Sequence, residues 1–241
     1  MILPFLLYSD LKKSNLNNYM NEKYYDIKTS EKFVNINFNE KCNCLSSAIY
    51  NGGFQEVSSG LIINVEENFK GKKSNFEEPE ITIKNSGDKI GINSPFFGMM
   101  TSAKMTSFRT ESEIIDDVIV SAFLTAGVSN AKRIGEKAEW QNFEHNSYNA
   151  GTINIILFTN VSLSPAAMTE AIMMITEAKS AALQDLKILT DKNNIATGTG
   201  TDSTAIVCSK NNKNAKYCGK HTLIGEMIGK TVYRALINSL K

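Results

Sequence analysis

Apolar and polar positions alternate early in the chain. In "FVNINF", Phe33 to Phe38, the alternation has the period of two that marks a half-buried strand. Two further strand patterns follow, "LSSAIYNGG" and "GLIINVE", and the run Asn51 to Gly53 marks a turn between them. The opening "MILPFLL" has no basic start and no small-residue cleavage site, so it reads as a buried strand and not as a signal peptide. From about residue 68 to 94 the chain turns polar and rich in Lys, Glu and Asn, interrupted by the alternating "EITIK". That composition predicts an inserted or mobile segment.

After Asp116 the pattern changes to strand followed by helix. "DDVIVSAFLTAG" ends at Gly127 as a strand would, and the Ile-rich "GTINIILFTN" reads as a central strand. Next comes a helix: Ser164 suits the N-cap and Pro165 the first helical position. Met168, Ile172, Ile175, Ala182, Leu183 and Leu186 then recur at helical spacing to give one apolar face. A last helix begins after Thr222, its expected N-cap, with an apolar stripe from Ile224 to Leu240. Glu226, Lys230 and Arg234 line its other side at i, i+4 spacing.

Charge excludes some partners. Lys plus Arg number 26 against 25 Asp plus Glu, a net charge of +1, so no global field draws in nucleic acid or an acidic membrane. The basic "KGKK" at residues 70–73 is flanked by glutamates and reads as a solvated loop. No apolar run reaches the roughly 18 residues that a membrane span requires. The four cysteines include "CNC", too tightly spaced for a zinc knuckle. They are expected to be free thiols of a cytoplasmic protein, with no metal.

Chemistry concentrates in "ATGTGTDSTAIVC", Ala196 to Cys208. Three threonines, two glycines, an aspartate and a serine precede an apolar strand, where they form either a polar turn or the wall of a pocket. The stretch is no dinucleotide fingerprint, because Ser203 stands where the third glycine belongs and a strand follows instead of a helix. Nor is "GK" at Gly219 and Lys220 a P-loop, since His follows it. Asp202 sits at a strand start, where its carboxylate either faces a crevice or satisfies turn N–H groups. The histidines are two, His145 and His221, and a mechanism that needs an imidazole must use one of them.

The blocks "LSSAIYNGG", "FLTAGVSNA", "GTINIILFTN", "LSPAAM", "TEAKSAAL", "ATGTGTDS" and "GKHTLIGEMIG", in that order, resemble the adenosylcobinamide amidohydrolase family from about Leu45 onward. The resemblance implies hydrolysis of the amide that joins a corrin propionate to aminopropanol, which gives adenosylcobyric acid in corrinoid salvage. It implies a corrinoid substrate and water, without a cofactor, and leaves room for a homo-oligomer. A large disc rimmed with amides calls for apolar walls and many neutral donors and acceptors. Thr197, Gly198, Thr199, Gly200, Ser203 and Thr222 are candidates for that role, with Asn51, Gly52 and Asn130 as further amide readers.

Two mechanisms stay open. Asp202 or Glu226 activates water while His221 protonates the leaving amine, or a hydroxyl of Thr199 or Thr201 attacks to form an acyl-enzyme. A corrinoid carrier or sensor with a histidine on cobalt is the non-catalytic alternative. The site is expected where "TAGVSN", "ATGTGTD" and "GKHT" converge. The expected architecture is one α+β domain over residues 1–241. It has a mixed, mainly antiparallel sheet with the long C-terminal helices packed on it, and a parallel α/β sheet is the alternative.

Overall fold

The computed structural model describes residues 23–65, 77–138 and 151–241. The opening "MILPFLL", the basic "KGKK" and His145 lie outside these ranges. Strands β1 (Tyr25–Thr29), β2 (Phe33–Ser46) and β3 (Gly53–Asn64) lead to helix α1 (Pro79–Lys89) and strand β4 (Phe96–Thr101). Strands β5 (Arg109–Ile115) and β6 (Val118–Ala126) form a hairpin, followed by the short β7 (Ala131–Lys132) and by β8 (Ile153–Thr159). Then come β9 (Ser162–Leu163), helix α2 (Pro165–Asp185), β10 (Gly198–Thr199), β11 (Ser203–Cys208), β12 (Asn214–Ala215) and helix α3 (Leu223–Leu240).

Eight strands form one mixed sheet in the order β4-β3-β2-β11-β8-β6-β5, with β1 also on β2. Only β3–β4 and β8–β11 run parallel among its pairs; the others are antiparallel, as the α+β reading requires and the parallel alternative does not. β2 joins the two halves. Its first residues pair with β1, its last with β11, and the register against β3 shifts between Asn37 and Cys42. Such an irregularity bends a strand and increases its twist, so the sheet can fold over itself.

Alternation along each strand then separates two cores. On one face Val120, Ala122, Leu124, Ile153, Ile155, Leu157 and Ile206 meet α2 and α3. On the other, Phe123, Ile156, Phe158, Ala205 and Val207 meet Val34, Ile36, Val57, Ile62, Phe97 and Met99 from the β1–β4 half. Tyr25 ties that inner layer together. Its ring lies edge-on to Phe123 at 4.9 Å, and its hydroxyl donates to Ser121 Oγ at 2.9 Å. Helix α1 closes the far side with Ile83, Leu61, Ile63 and Phe96, giving four layers in the order helix, sheet, sheet, helices.

The predicted caps form. Ser164 Oγ accepts from the Ala167 N–H at 3.2 Å, and Thr222 Oγ1 accepts from the Gly225 N–H at 3.0 Å. Residues 80–84, whose alternation suits a strand, are instead part of α1. Pro79 at the first helical position starts that helix, and Ile83 is buried against the outer face of β3 and β4. The cysteines are all free and buried, but Cys42 and Cys44 face the inner core while Cys208 and Cys218 face the helices. Thiols divided between two faces of a sheet do not assemble one tetrahedral zinc site. No helix among the described residues is long and apolar enough to cross a membrane.

Candidate active site

The parallel neighbours β8 and β11 begin at the same end of the sheet, with Ser203 opposite Asn154. One residue before Ser203, Asp202 turns its side chain to the helix side and takes four donors. Its Oδ1 accepts the Thr199 hydroxyl at 2.5 Å and the Ile153 N–H at 3.0 Å. Its Oδ2 accepts the Thr199 N–H at 3.0 Å and forms an ion pair with Lys179 Nζ. A carboxylate offers about four lone-pair sites, so this one is filled. Both side chains are nearly buried, Lys179 at 9% exposure and Asp202 at 12%.

The glycine of this loop is a packing requirement. A Cβ at Gly198 would stand 2.5 Å from Asp202 Oδ2 and 3.0 Å from Lys179 Nζ, so a side chain there would force the ion pair apart. The loop is pinned at three further points. Gly198 and Thr199 pair with Lys132 and Ala131, Thr197 Oγ1 accepts the Ile134 N–H at 2.8 Å, and Ser180 Oγ donates to the Thr197 carbonyl at 3.1 Å. Gly200, at the tip, is exposed.

On the other side of the same sheet end the inward positions are polar. Thr152 and Thr201 oppose each other with their hydroxyls 2.7 Å apart, and Thr201 Oγ1 also donates to the Gly151 carbonyl at 3.3 Å. In the next row Ser203, Asn154 and Thr125 stand side by side on β11, β8 and β6. Asn154 is fully buried, and its amide N–H donates to the Met100 carbonyl at 2.7 Å. Its Oδ1 and the buried Thr125 Oγ1 have no hydrogen-bond partner. The next row deeper, Ala205, Ile156 and Phe123, is apolar. Asn130 stands close by, its side chain next to Gly151 and Gly200.

The expected convergence is therefore partial. Structure brings together "TAGVSN", "ATGTGTD" and the start of "TINIILF", including Thr197, Gly198, Thr199, Gly200, Thr201, Asp202, Ser203 and Asn130. His221 is exposed in the turn before α3 and takes no part in the Asp202 hydrogen-bond network. That turn packs beside the start of α2, where the Cys218 N–H donates to Glu170 Oε2 at 2.7 Å. It is the last turn of α3, not the first, that reaches the C-terminal end of β6, through Ser239 to Ser107 and Asn238 to Arg109. Glu226 is exposed and bonded to Lys230 at 2.5 Å, and Thr222 spends its hydroxyl on the cap. Asn51 donates to the Phe96 carbonyl at 2.8 Å, at the opposite end of β4 from Met100. Gly52 serves the same turn, where a Cβ would meet the Ala48 carbonyl at 2.3 Å.

Sequence reading passed over Thr152, Asn154 and Thr125 and took Lys179 as a structural residue of its helix. A signal for each was present. Lys179 interrupts the apolar stripe of α2 between Ile175 and Ala182, Asn154 interrupts the apolar run of β8 with Thr152 just before it, and Thr125 follows the apolar Ala122–Leu124 on β6.

The adenosylcobinamide amidohydrolase family model matches residues 16–241, nearly the whole chain. The chain belongs to that family. It is 36% identical over 225 residues to an uncharacterized protein of Methanocaldococcus jannaschii, covering 87% of this chain and 86% of that one. It is 32% identical over 203 residues to the adenosylcobinamide amidohydrolase of Methanosarcina mazei, covering 78% and 90%. Among solved structures, a Burkholderia sp. beta-aminopeptidase superposes with a TM-score of 0.45 at 10% identity, over 90% of this chain and 82% of that one.

Proposed function

We propose that this member of the family hydrolyses the aminopropanol amide of adenosylcobinamide, releasing 1-amino-2-propanol and adenosylcobyric acid, and so serves corrinoid salvage. The observation that carries the reading is the filled carboxylate of Asp202 at the sheet end, which holds the Thr199 hydroxyl on one oxygen and Lys179 on the other. Amide hydrolysis needs a base beside a nucleophile, and donors where negative charge develops. The Thr199 hydroxyl already lies on the carboxylate. A water molecule would have to displace one of the four donors to take its place.

Neutral groups at the sheet end support the substrate assignment. Corrin side chains end in primary amides, which offer donors as well as acceptors, and the hydroxyls of Thr197, Thr199 and Thr201 stay partly exposed beside the exposed Gly200. Lys179 is held by Asp202 and is not free to meet a phosphate. Purified protein incubated with adenosylcobinamide should release aminopropanol and a corrinoid with one more carboxylate, both measured by liquid chromatography with mass spectrometry. Binding that shifts the visible spectrum without any release of amine would replace the hydrolase reading with that of a carrier.

A further inference from the structure

We propose that Lys179 is the proton donor to the departing amine, in a relay Thr199–Asp202–Lys179 whose nucleophile is the Thr199 hydroxyl. This rests on the amide-hydrolysis reading and deepens it. Thr199 and Lys179 occupy the two oxygens of one carboxylate, so a proton accepted at Oδ1 is felt at once by the ammonium on Oδ2. The pair is almost fully buried, which makes the loss of a counter-charge consequential. Lys179 is moreover the one cation on the apolar stripe that α2 turns to the sheet, a costly position for a residue with no task beyond holding a loop.

Thr199 Oγ1 attacks the amide carbon while its proton passes to Asp202 Oδ1. Asp202 becomes neutral, and the Lys179 ammonium is left without its counter-charge. When the C–N bond breaks, Lys179 gives a proton to the leaving nitrogen and aminopropanol departs as the free amine. The chain then carries an ester on Thr199, a neutral Asp202 and a neutral Lys179. Asp202 then turns its protonated oxygen to Lys179 Nζ, and transfer of that proton restores the ion pair. Water attacks the ester, giving one proton to Asp202, which returns it to the Thr199 oxygen as the carboxylic acid leaves.

The closing experiment compares amide and ester turnover in Lys179→Arg and Lys179→Met. Arginine keeps the charge opposite Asp202 but does not release a proton in this range. Both variants, shown folded by circular dichroism and a cooperative melt, should lose a hundredfold or more in kcat for adenosylcobinamide. The p-nitrophenyl ester of the same carboxyl group has a leaving group that departs unprotonated, and Lys179→Arg should hydrolyse it within about threefold of wild type. On the wild-type enzyme, amides of progressively less basic amines should give nearly constant kcat. Lys179→Arg turning over the amide at the wild-type rate, equal losses for amide and ester, or a steep dependence on amine basicity would each overturn the relay. Failure of wild-type protein to release aminopropanol would instead overturn the hydrolase reading itself.

Discussion

Replacing Asp202 by Asn tests the electrostatics of the site independently of any substrate. The amide keeps one accepting oxygen and substitutes an NH2 for the other. Turned with its oxygen to Lys179 and the Thr199 N–H, it leaves the Ile153 N–H facing a donor, while the Thr199 hydroxyl can rotate to accept. The cost then has two parts. One buried N–H goes unsatisfied, worth roughly 1–3 kcal/mol. One buried ammonium loses its counter-charge, and removal of one partner of a buried pair costs roughly 3–5 kcal/mol. The two overlap because the network relaxes as a unit, so the net loss should be about 3–5 kcal/mol. At this chain length about 2–4 °C of melting temperature goes with each kcal/mol, giving a drop of roughly 6–20 °C. Thermal and urea unfolding followed by far-ultraviolet circular dichroism read it directly. In a cycle with Lys179→Met, the double variant should lose less than the sum of the single losses. A melt of Asp202→Asn within about 2 °C of wild type, or an additive cycle, would refute the reasoning.

Three further outcomes are expected. Thr125→Val removes a fully buried hydroxyl without a partner, so it should raise stability by about 1 kcal/mol; a stability loss above about 1 kcal/mol would show that the hydroxyl is satisfied. His221→Ala should lower amide turnover less than threefold, given its exposure outside the Asp202 network, and a hundredfold loss would bring histidine back into the mechanism. Burial pushes the thiols of Cys42, Cys44 and Cys218 up to about 12 from 9.0. The folded state therefore keeps protons that the unfolded chain loses above pH 9, and unfolding free energy should decline between pH 9 and 12 with no contribution from these groups below pH 9. In the same protein a disulfide reagent at pH 8 should find few thiols until urea is added, and rapid native reaction of all four would contradict the burial.

The elements themselves were legible because each rests on neighbours close in sequence. Ser164 and Pro165 begin α2 by capping chemistry that spans three residues, and Thr222 begins α3 in the same way. Strands β6, β8 and β11 show as apolar runs because both of their faces are covered, and a continuous run needs no partner to be read. The Gly/Thr stretch before β11 also announced itself, since glycine and hydroxyl groups are poor material for a core. Local pattern misled in two places: the strand expected in "LSSAIYNGG" stops at Ser46, and the segment expected to be inserted or mobile holds α1, where Pro79 and the packing of Ile83 decide for helix.

Assembly of the site lay beyond local pattern. Asp202 meets Lys179 across 23 residues and Ile153 across 49, so the ion pair and its donors depend on how α2 recrosses the sheet. "GKHT" is marked by residues as suitable for catalysis as those around Asp202. Which turn of a helix stands over which end of a sheet is nevertheless set by packing direction, and α3 brings its last turn, not its first, to the end where β6 finishes. The polar row of Ser203, Asn154 and Thr125 exists only because parallel and antiparallel registers align three strands at one level. Sequence by itself determined which segments are buried and where their ends lie, since those follow from nearest-neighbour chemistry. The tertiary structure decided which polar groups face one another, because hydrogen bonds and ion pairs act over a few ångströms and the chain can bring any two of its segments within that range.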